Sequence, residues 1–504
     1  MEVSPLTVAA SLLVLAATYI LIWVLHRRRV HQLFARYGIP GPKPELLWGN
    51  YRQLQGDKIK VVDQWIREHG KVFGFFEGEK SFLMVTDVDL IKQCFVKEAQ
   101  IFSDRPRFPL NAEPFSSSLL LLRGDEWKRV RTMLNPCFSA AKIKPLMPIV
   151  DQCTDTFVKV LDDHVAKNKA VDIDIAAQAL TLDIIAKAAL AFEVNCQEDT
   201  SDHLLQAIRA FFRREHNIAV QMAIAFPILS SFFSVCYPLT EHGKFVDRIV
   251  DNVRAVIDLR KQNKNSRAPD LVQAMLDVRA EAEEEDNSQK QAVLEDRHVL
   301  ANSFLFLTAG FDTTASSLTF TVYCLAKYPE EQEKVYAELS KLIPSGEGFT
   351  YDNVRELKYL DAVVNESLRM YPSVALFTSR ACGEDVTIMD RRIPAGTNVL
   401  IPTWQLHHDP ELWSDPWDFK PDRFLQEEFN PTAFLPFGLG PRICIGKRLA
   451  LLELKVALCK LLRKYSVTLS ETVSEPLQLS IPTSLLHARD GVNVRLVPRE
   501  AKPA

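Results

Sequence analysis

Leu6 to Leu25 reads LTVAASLLVLAATYILIWVL, twenty consecutive residues without a charge. At about 1.5 Å per residue a helix of that length spans roughly 30 Å, the hydrocarbon thickness of a bilayer. His26, Arg27, Arg28 and Arg29 follow at once, whereas only Glu2 is charged before it. The positive-inside rule therefore leaves the following chain in the cytosol and the N-terminus in the lumen. A cleaved signal peptide is the competing reading. Against it, the run exceeds the roughly 7–15 residues of a signal h-region, the basic residues come after it, and no small-residue cleavage site appears. Residues 1–29 are thus expected as an uncleaved signal anchor. Pro40-Gly41-Pro42-Lys43-Pro44 forbids helix continuation, so residues 30–44 are expected as a hinge that uncouples the anchor from a body at 45–504. A second apolar region, Ile218 to Leu239, is interrupted by Pro227 and Pro238 and is expected as core or a monotopic membrane contact.

The body has ordinary globular chemistry. Sixty Lys+Arg stand against 64 Asp+Glu in 504 residues, 47% of them hydrophobic, which argues against wholesale disorder and against a polybasic nucleic-acid binder. No Gly/Ser-rich or Pro-rich linker follows the first 50 residues, so one large catalytic unit is expected. Nine cysteines are scattered singly, with no C-x-x-C and no C-x-C, which fits neither a disulfide scaffold nor a structural zinc site. Leu294 to Ala326 keeps helical apolar spacing and is apolar nearly all round from Phe304 to Leu307, so it is expected to run through the core. Arg279 to Gln291 before it, RAEAEEEDNSQKQ, is expected as a solvated loop. Short strands are expected at Val72–Phe76, Phe82–Val85, Val386–Ile388, Asn398–Ile401 and Val492–Val497, too few for a doubly wound sheet. No G-x-G-x-x-G is present, the nearest failure being Gly438 and Gly440 with Ile443 in the third place. Any electrons must come from another protein.

The densest signal is Phe437 to Gly446, FGLGPRICIG. Gly438, Gly440 and Pro441 predict a tight turn, with Cys444 where the chain enters a helix over Gly446–Leu462. A thiol at a helix N-terminus is favoured as thiolate by the dipole and by nearby N–H donors. A lone cysteine ligand suits haem iron, where the porphyrin supplies four nitrogens, better than zinc or an iron–sulfur cluster. Taken alone, Cys444 would be an inert core thiol. The pattern F-x-x-G-x-R-x-C-x-G changes that, because it resembles at every fixed position the haem-binding loop of the cytochrome P450 family.

Three further motifs resemble that family. Glu366-Ser367-Leu368-Arg369 matches E-x-x-R, whose spacing puts both side chains on one helix face; alone it would be an ordinary surface pair. The resemblance adds Arg423 of PDRF and implies a buried structural triad. Ala309 to Thr314, AGFDTT, lies mid-helix, where Gly costs about 1 kcal/mol relative to Ala. Gly310 is expected to let the helix open, and by resemblance Asp312 brings in protons while Thr313 steadies the species formed on oxygen. Trp127 and Arg131 match W-x-x-x-R, an indole N–H and a guanidinium suited to carboxylates such as haem propionates. Arg442 and Arg380 are further propionate partners by resemblance, and Phe437 and Gly446 belong to the same haem-binding loop.

The resemblance implies a mainly α fold with small β-sheets, the cytochrome P450 fold, preceded by a single N-terminal transmembrane helix. It implies heme b with an axial cysteine thiolate, and NADPH used indirectly through NADPH-cytochrome P450 reductase, with cytochrome b5 as a further partner. Stretches such as FSDRP and HHDPELWSDP look most like the microsomal drug-oxidising clan that also contains thromboxane synthase. The place implied is the endoplasmic reticulum membrane, single-pass, with the catalytic domain facing the cytosol. Pocket segments placed by resemblance are Phe108–Leu122, Phe211–Phe233, Phe304–Thr313, Val374–Phe377 and Ile481–Leu486; their apolar, aromatic character implies a bulky lipophilic substrate. The expected activity is monooxygenation. A thromboxane-synthase-like peroxide isomerase, without a reductase, is the alternative; that branch lacks the helix threonine that Thr313 supplies here.

Overall fold

The helix Asp296–Lys327 organises the body, and Phe304, Leu307, Phe311, Ala315, Leu318 and Val322 bury it on nearly every side. It stops before Pro329, because the residue preceding a proline is driven out of helical conformation. In the computed structural model, which describes residues 4–213, 218–262, 270–284, 294–426 and 429–499, its main neighbour is the equally buried helix Ile173–Leu190. The helices Lys358–Met370 and Lys447–Lys464 also pack against it. The acidic stretch expected as a loop is helical as far as its first residues extend within Leu271–Glu284, and 285–291 lie outside the described residues. Ala and Glu are strong helix formers, so the helix continues through them.

All five expected strands are present within a residue or two, and they join shorter ones. Val72–Glu77, Lys80–Val85, Asn398–Ile401 and Thr378–Ala381 form a four-stranded sheet in that order, the middle pair parallel. Val171–Asp172, Asn493–Pro498 and Tyr465–Leu469 form a second, antiparallel sheet. Tyr465–Leu469 was not legible because it follows the helix Lys447–Lys464 without any turn residue.

Pro5–His31 is a continuous helix, the one helix among the described residues long and apolar enough to cross a membrane. The expected uncoupling from the body does not occur. Arg27 is fully buried and donates from Nη2 to the Ala225 carbonyl at 2.6 Å, with Glu79 3.3 Å from its Nε. His31 Nε2 donates to the Gly78 carbonyl at 2.9 Å, Phe34 is buried, and the Gly74 N–H donates to Pro40 O at 2.8 Å. The prolines end the helix, but hydrogen bonding and burial fasten residues 30–44 to the sheet. The region Ile218–Leu239 breaks at its prolines into short helices, Ile218–Ala225 and Ser230–Cys236. Val220 and Ala223 face the core, while Ile228, Phe232, Val235 and Leu239 are exposed.

On Lys358–Met370, Glu366 and Arg369 are both completely buried and meet bidentately at 2.8 and 2.9 Å. Arg369 also donates to the carbonyls of His407 and Pro416, each at 2.8 Å. Arg423 Nε and the Lys420 N–H both donate to Glu366 Oε1 at 3.0 Å. Such a pair is tolerated in the interior only with its hydrogen-bonding capacity filled. Glu366→Gln keeps the shape but leaves two guanidinium groups without their counter-charge, a loss of about 3–5 kcal/mol. The expected outcome is a much reduced yield of folded chain and a lower thermal midpoint; an unchanged midpoint would refute a stabilising triad.

Candidate active site

The loop before the helix Lys447–Lys464 is rigid for identifiable reasons. Gly438 and Gly440 have φ of 76° and 71°, and a Cβ on Gly440 would lie 2.0 Å from the Phe95 carbonyl oxygen. The Cys444 N–H donates to Phe437 O at 2.9 Å, and the Leu435 N–H donates to His407 Nε2 at 2.9 Å. Of the nine cysteines Cys444 alone is exposed, and what exposes it is an interior cavity of about 550 Å³. Burial pushes its thiol up, opposed by the Gly446 N–H, the charge of Arg131 and the Lys447 N–H. The loop N–H groups and Arg131 act toward thiolate, as expected, and burial acts against them. Coordination to a cation is what deprotonates such a thiol outright.

Trp127 and Arg131, one turn apart on the helix Gly124–Leu134, both line this cavity. Arg131 Nη2 donates to the Ile443 carbonyl at 2.9 Å, beside the cysteine. Arg442 lies 4.0 Å over the Trp127 ring and donates to Ser103 O and Leu122 O, with Asp104 at 3.2 Å. Its Nη1 is buried with no hydrogen-bond partner. Arg380 donates to Ser379 O and Leu439 O at 2.7 and 2.9 Å and lines the same wall, as does Arg105. Burial, with positive neighbours in each case, pulls Arg105, Arg380 and Arg442 below their ordinary values. A guanidinium does not give up its proton in a protein, so this strain is a demand for an anion. Two carboxylates on a flat ligand whose metal reaches Cys444 meet that demand. The residues fit an iron protoporphyrin.

On the long helix, Ala309, Gly310 and Thr313 face the cavity. The helix does not open at Gly310. It stays continuous, and a Cβ there would lie 3.0 Å from Ile185, so the glycine permits close approach of two helices. Thr313 Oγ1 donates to Ala309 O at 2.7 Å. Asp312 is buried beside it, off the cavity wall, with its Oδ2 3.3 Å from His487 Nε2. The remaining wall is largely apolar, and all five segments placed by resemblance contribute, among them Phe108, Phe211, Phe306, Phe377 and Leu485.

Sequence reasoning missed several wall residues. Arg105 stands in the quoted stretch FSDRP, but nothing local marks it as a site residue. Glu453 lies in the apolar run of the cysteine helix, and a lone carboxylate at a core position was the available signal. It is 3% exposed, lines the cavity, and has no hydrogen-bond or ion-pair partner among the described residues. Tyr237 and His242 on the wall, and His487 off it, carried no signal, because their partners are set by tertiary structure.

An arginine cluster short of anions and a solitary thiol facing the same chamber are what a haem-thiolate protein requires, and that is the class this site defines. Comparison with known families supplies the rest: the model described as Cytochrome P450 matches residues 39–493, and the chain belongs to that family. It is similar to cytochrome P450 3A41 of Mus musculus, 32% identical over 496 residues that cover 97% of this chain and 96% of that one. Cytochrome P450 3A6 of Oryctolagus cuniculus is 33% identical, with 96% of each chain covered. Cytochrome P450 3A5 of Homo sapiens is 33% identical, with 95% of each covered. The chain is a haem-thiolate monooxygenase of the 3A-like group.

Burial alone pushes Glu453 up to about 8 from an ordinary 4.5. Between those values the unfolded chain has released this proton and the folded chain still holds it, so stability falls as pH rises and levels off above about 8. Glu453→Gln removes that slope. Variant and wild type should melt alike near pH 4.5, and the variant higher at pH 8, in thermal scans of the haem-loaded protein; parallel curves would show that the carboxyl is not held protonated.

Proposed function

We propose that this monooxygenase oxidises bulky lipophilic molecules with electrons passed from NADPH by a separate flavoprotein, NADPH-cytochrome P450 reductase, with cytochrome b5 as a second donor. The carrying observation is the cavity itself, which sets Cys444 and the arginine cluster at one end and phenylalanine, leucine and valine side chains over the rest. Cys444 would be the axial ligand, within the loop from Phe437 to Gly446, and Trp127, Arg131, Arg380, Arg442 and Arg105 would hold the propionates. Held this way, the haem supplies activation of dioxygen, helped by electron density from the thiolate. The apolar wall excludes water and orients the substrate. Thr313 places a hydroxyl on the cavity wall and Asp312 holds a proton behind it. Glu366, Arg369 and Arg423 keep the loop in register without touching reactants. Residues 1–29 are the anchor, 30–44 its fastened connection and 45–504 the catalytic domain. The basic run after the anchor supports a single-pass placement in the endoplasmic reticulum membrane with that domain in the cytosol.

Thr313→Ala tests the proton role. With a benzyloxycoumarin ether as probe and added reductase, the thiolate-type carbon monoxide spectrum should persist, while NADPH consumption shifts from product to hydrogen peroxide by roughly tenfold or more. Unchanged coupling would remove Thr313 from proton delivery.

The electron donor is addressed by charge. Lys128 and Arg129 are exposed on the helix that carries Trp127, and Lys447 and Arg448 are exposed at the start of the helix that follows the cysteine loop. Complementary charge mainly raises association rate and weakens with salt. Lys128→Glu with Lys447→Glu should slow reductase-supported turnover and flatten its salt dependence, leaving turnover driven by added peroxide near wild type. Equal loss in both modes would assign these residues to the haem site instead.

A further inference from the structure

The proton group Asp312 does not face the cavity. It is 2% exposed, and its carboxylate is directed at His487, which lies in the strand pair Leu479–Ser480 and His487–Ala488. The histidine is the more accessible member, with 12% of its side chain exposed against 3% for the aspartate. Its position does not depend on that contact. Ser316 Oγ donates to Leu486 O at 2.9 Å, the Leu486 N–H donates to Ser373 O at 2.9 Å, and the Ala375 N–H donates to Ser484 O at 3.0 Å. Lys58 Nζ donates to Ile481 O and Thr483 O at 2.7 and 2.8 Å. The loop is fastened on both sides, and the imidazole is held against the carboxylate.

We infer that His487 is the entry point for protons that reach Thr313 through Asp312. The inference rests on the reading of Asp312 as the proton group. An imidazole is the side chain that takes up and releases protons near neutrality, and here one nitrogen addresses Asp312 Oδ2 while the ring has solvent contact. From the neutral Nε2–H tautomer, water protonates Nδ1 to give imidazolium, which passes its Nε2 proton to Asp312 Oδ2; the ring is left neutral with its proton on Nδ1, and turning the ring over restores the Nε2–H tautomer. No electrons change hands. Asp312 carries the proton forward by turning about its own side-chain bonds toward the Thr313 side of the helix. His487 does not line the cavity, so it acts through Asp312.

The test uses the full chain with reductase and the benzyloxycoumarin ether, and compares His487→Gln, His487→Lys, Asp312→Asn and Ser316→Ala. Gln keeps a polar group beside Asp312 but cannot relay a proton, whereas Lys can carry one. Ser316→Ala loosens the same loop without altering the pair. The readouts are product formed per NADPH consumed and the solvent deuterium isotope effect, in preparations matched by carbon monoxide spectrum. Expected for His487→Gln are an unchanged substrate-induced spectral shift, roughly tenfold lower coupling and a larger isotope effect, with part of the coupling regained in His487→Lys and none of it lost in Ser316→Ala. Wild-type coupling in His487→Gln together with uncoupling in Asp312→Asn would overturn the inference and leave the role of Asp312 standing. Wild-type coupling in both would overturn that role too. Equal losses in His487→Gln and Ser316→Ala would reduce the histidine to a loop fastening and overturn the inference.

Discussion

The buried guanidinium of Arg369 is the contact on which the rest of the site depends. Its two bonds to Glu366 neutralise it, and its bonds to the carbonyls of His407 and Pro416 fix the segment that crosses beneath the helix. The connection continues through one imidazole. His407 Nδ1 lies 3.1 Å from Arg369 O and its Nε2 accepts from the Leu435 N–H, an arrangement that places the ring proton on Nδ1. Burial pulls this histidine down to about 3, so it stays neutral and keeps that tautomer. Leu435 opens the run that leads through the glycine turn to Cys444. A charge pair on one helix thereby sets where a thiol stands some seventy residues later, by hydrogen bonds of fixed length.

The cavity is electrically divided. At the cysteine end stand several arginines, and Asp104, the carboxylate that Arg442 meets, also pairs with Arg123 at 3.2 Å. Elsewhere the wall is largely aromatic and aliphatic, interrupted by Tyr237, His242, the carboxyl of Glu453 and the hydroxyls of Thr313, Ser317 and Ser373, the last three hydrogen-bonded within or against the long helix. An anion is stabilised at one end and desolvated at the other, while an apolar molecule faces the opposite balance. One chamber thus sorts a charged cofactor from a lipophilic substrate without any partition between them.

What the sequence made legible follows from spacing. Glu366 with Arg369 and Trp127 with Arg131 were readable because three or four residues along a helix put side chains on one face. The cysteine loop was readable because its glycines and proline force a turn. Arg423 entered through resemblance alone. Arg105, Glu453 and His487 escaped because their importance comes from what folds against them. One reading failed for a related reason. Gly310 was taken for a weak point in a helix, yet its function in the fold is to admit Ile185. The thiolate argument named the loop N–H groups that do favour thiolate, and the opposing effect of burial was not legible. Local electrostatics can be read from a motif; desolvation cannot, because it depends on the whole interior.

Arg27 shows the same limit at the membrane end. In the sequence it is one of three consecutive arginines that stop an apolar helix, and a solvated stop signal has no reason to touch the body. In the fold its guanidinium is buried against the Ala225 carbonyl and near Glu79, and it lies 5.2 Å from the Trp23 ring. Ala225 ends the short helix that gives Val220 to the cavity wall, and the next residues expose Ile228, Phe232, Val235 and Leu239. Trp23 approaches Phe226 at 6.2 Å between ring centres, so the anchor meets this segment through aromatic contact as well as through charge. The anchor, the exposed apolar face and part of the cavity roof are therefore one mechanically connected unit. An apolar face fastened beside a membrane helix is stabilised by immersion in the same lipid.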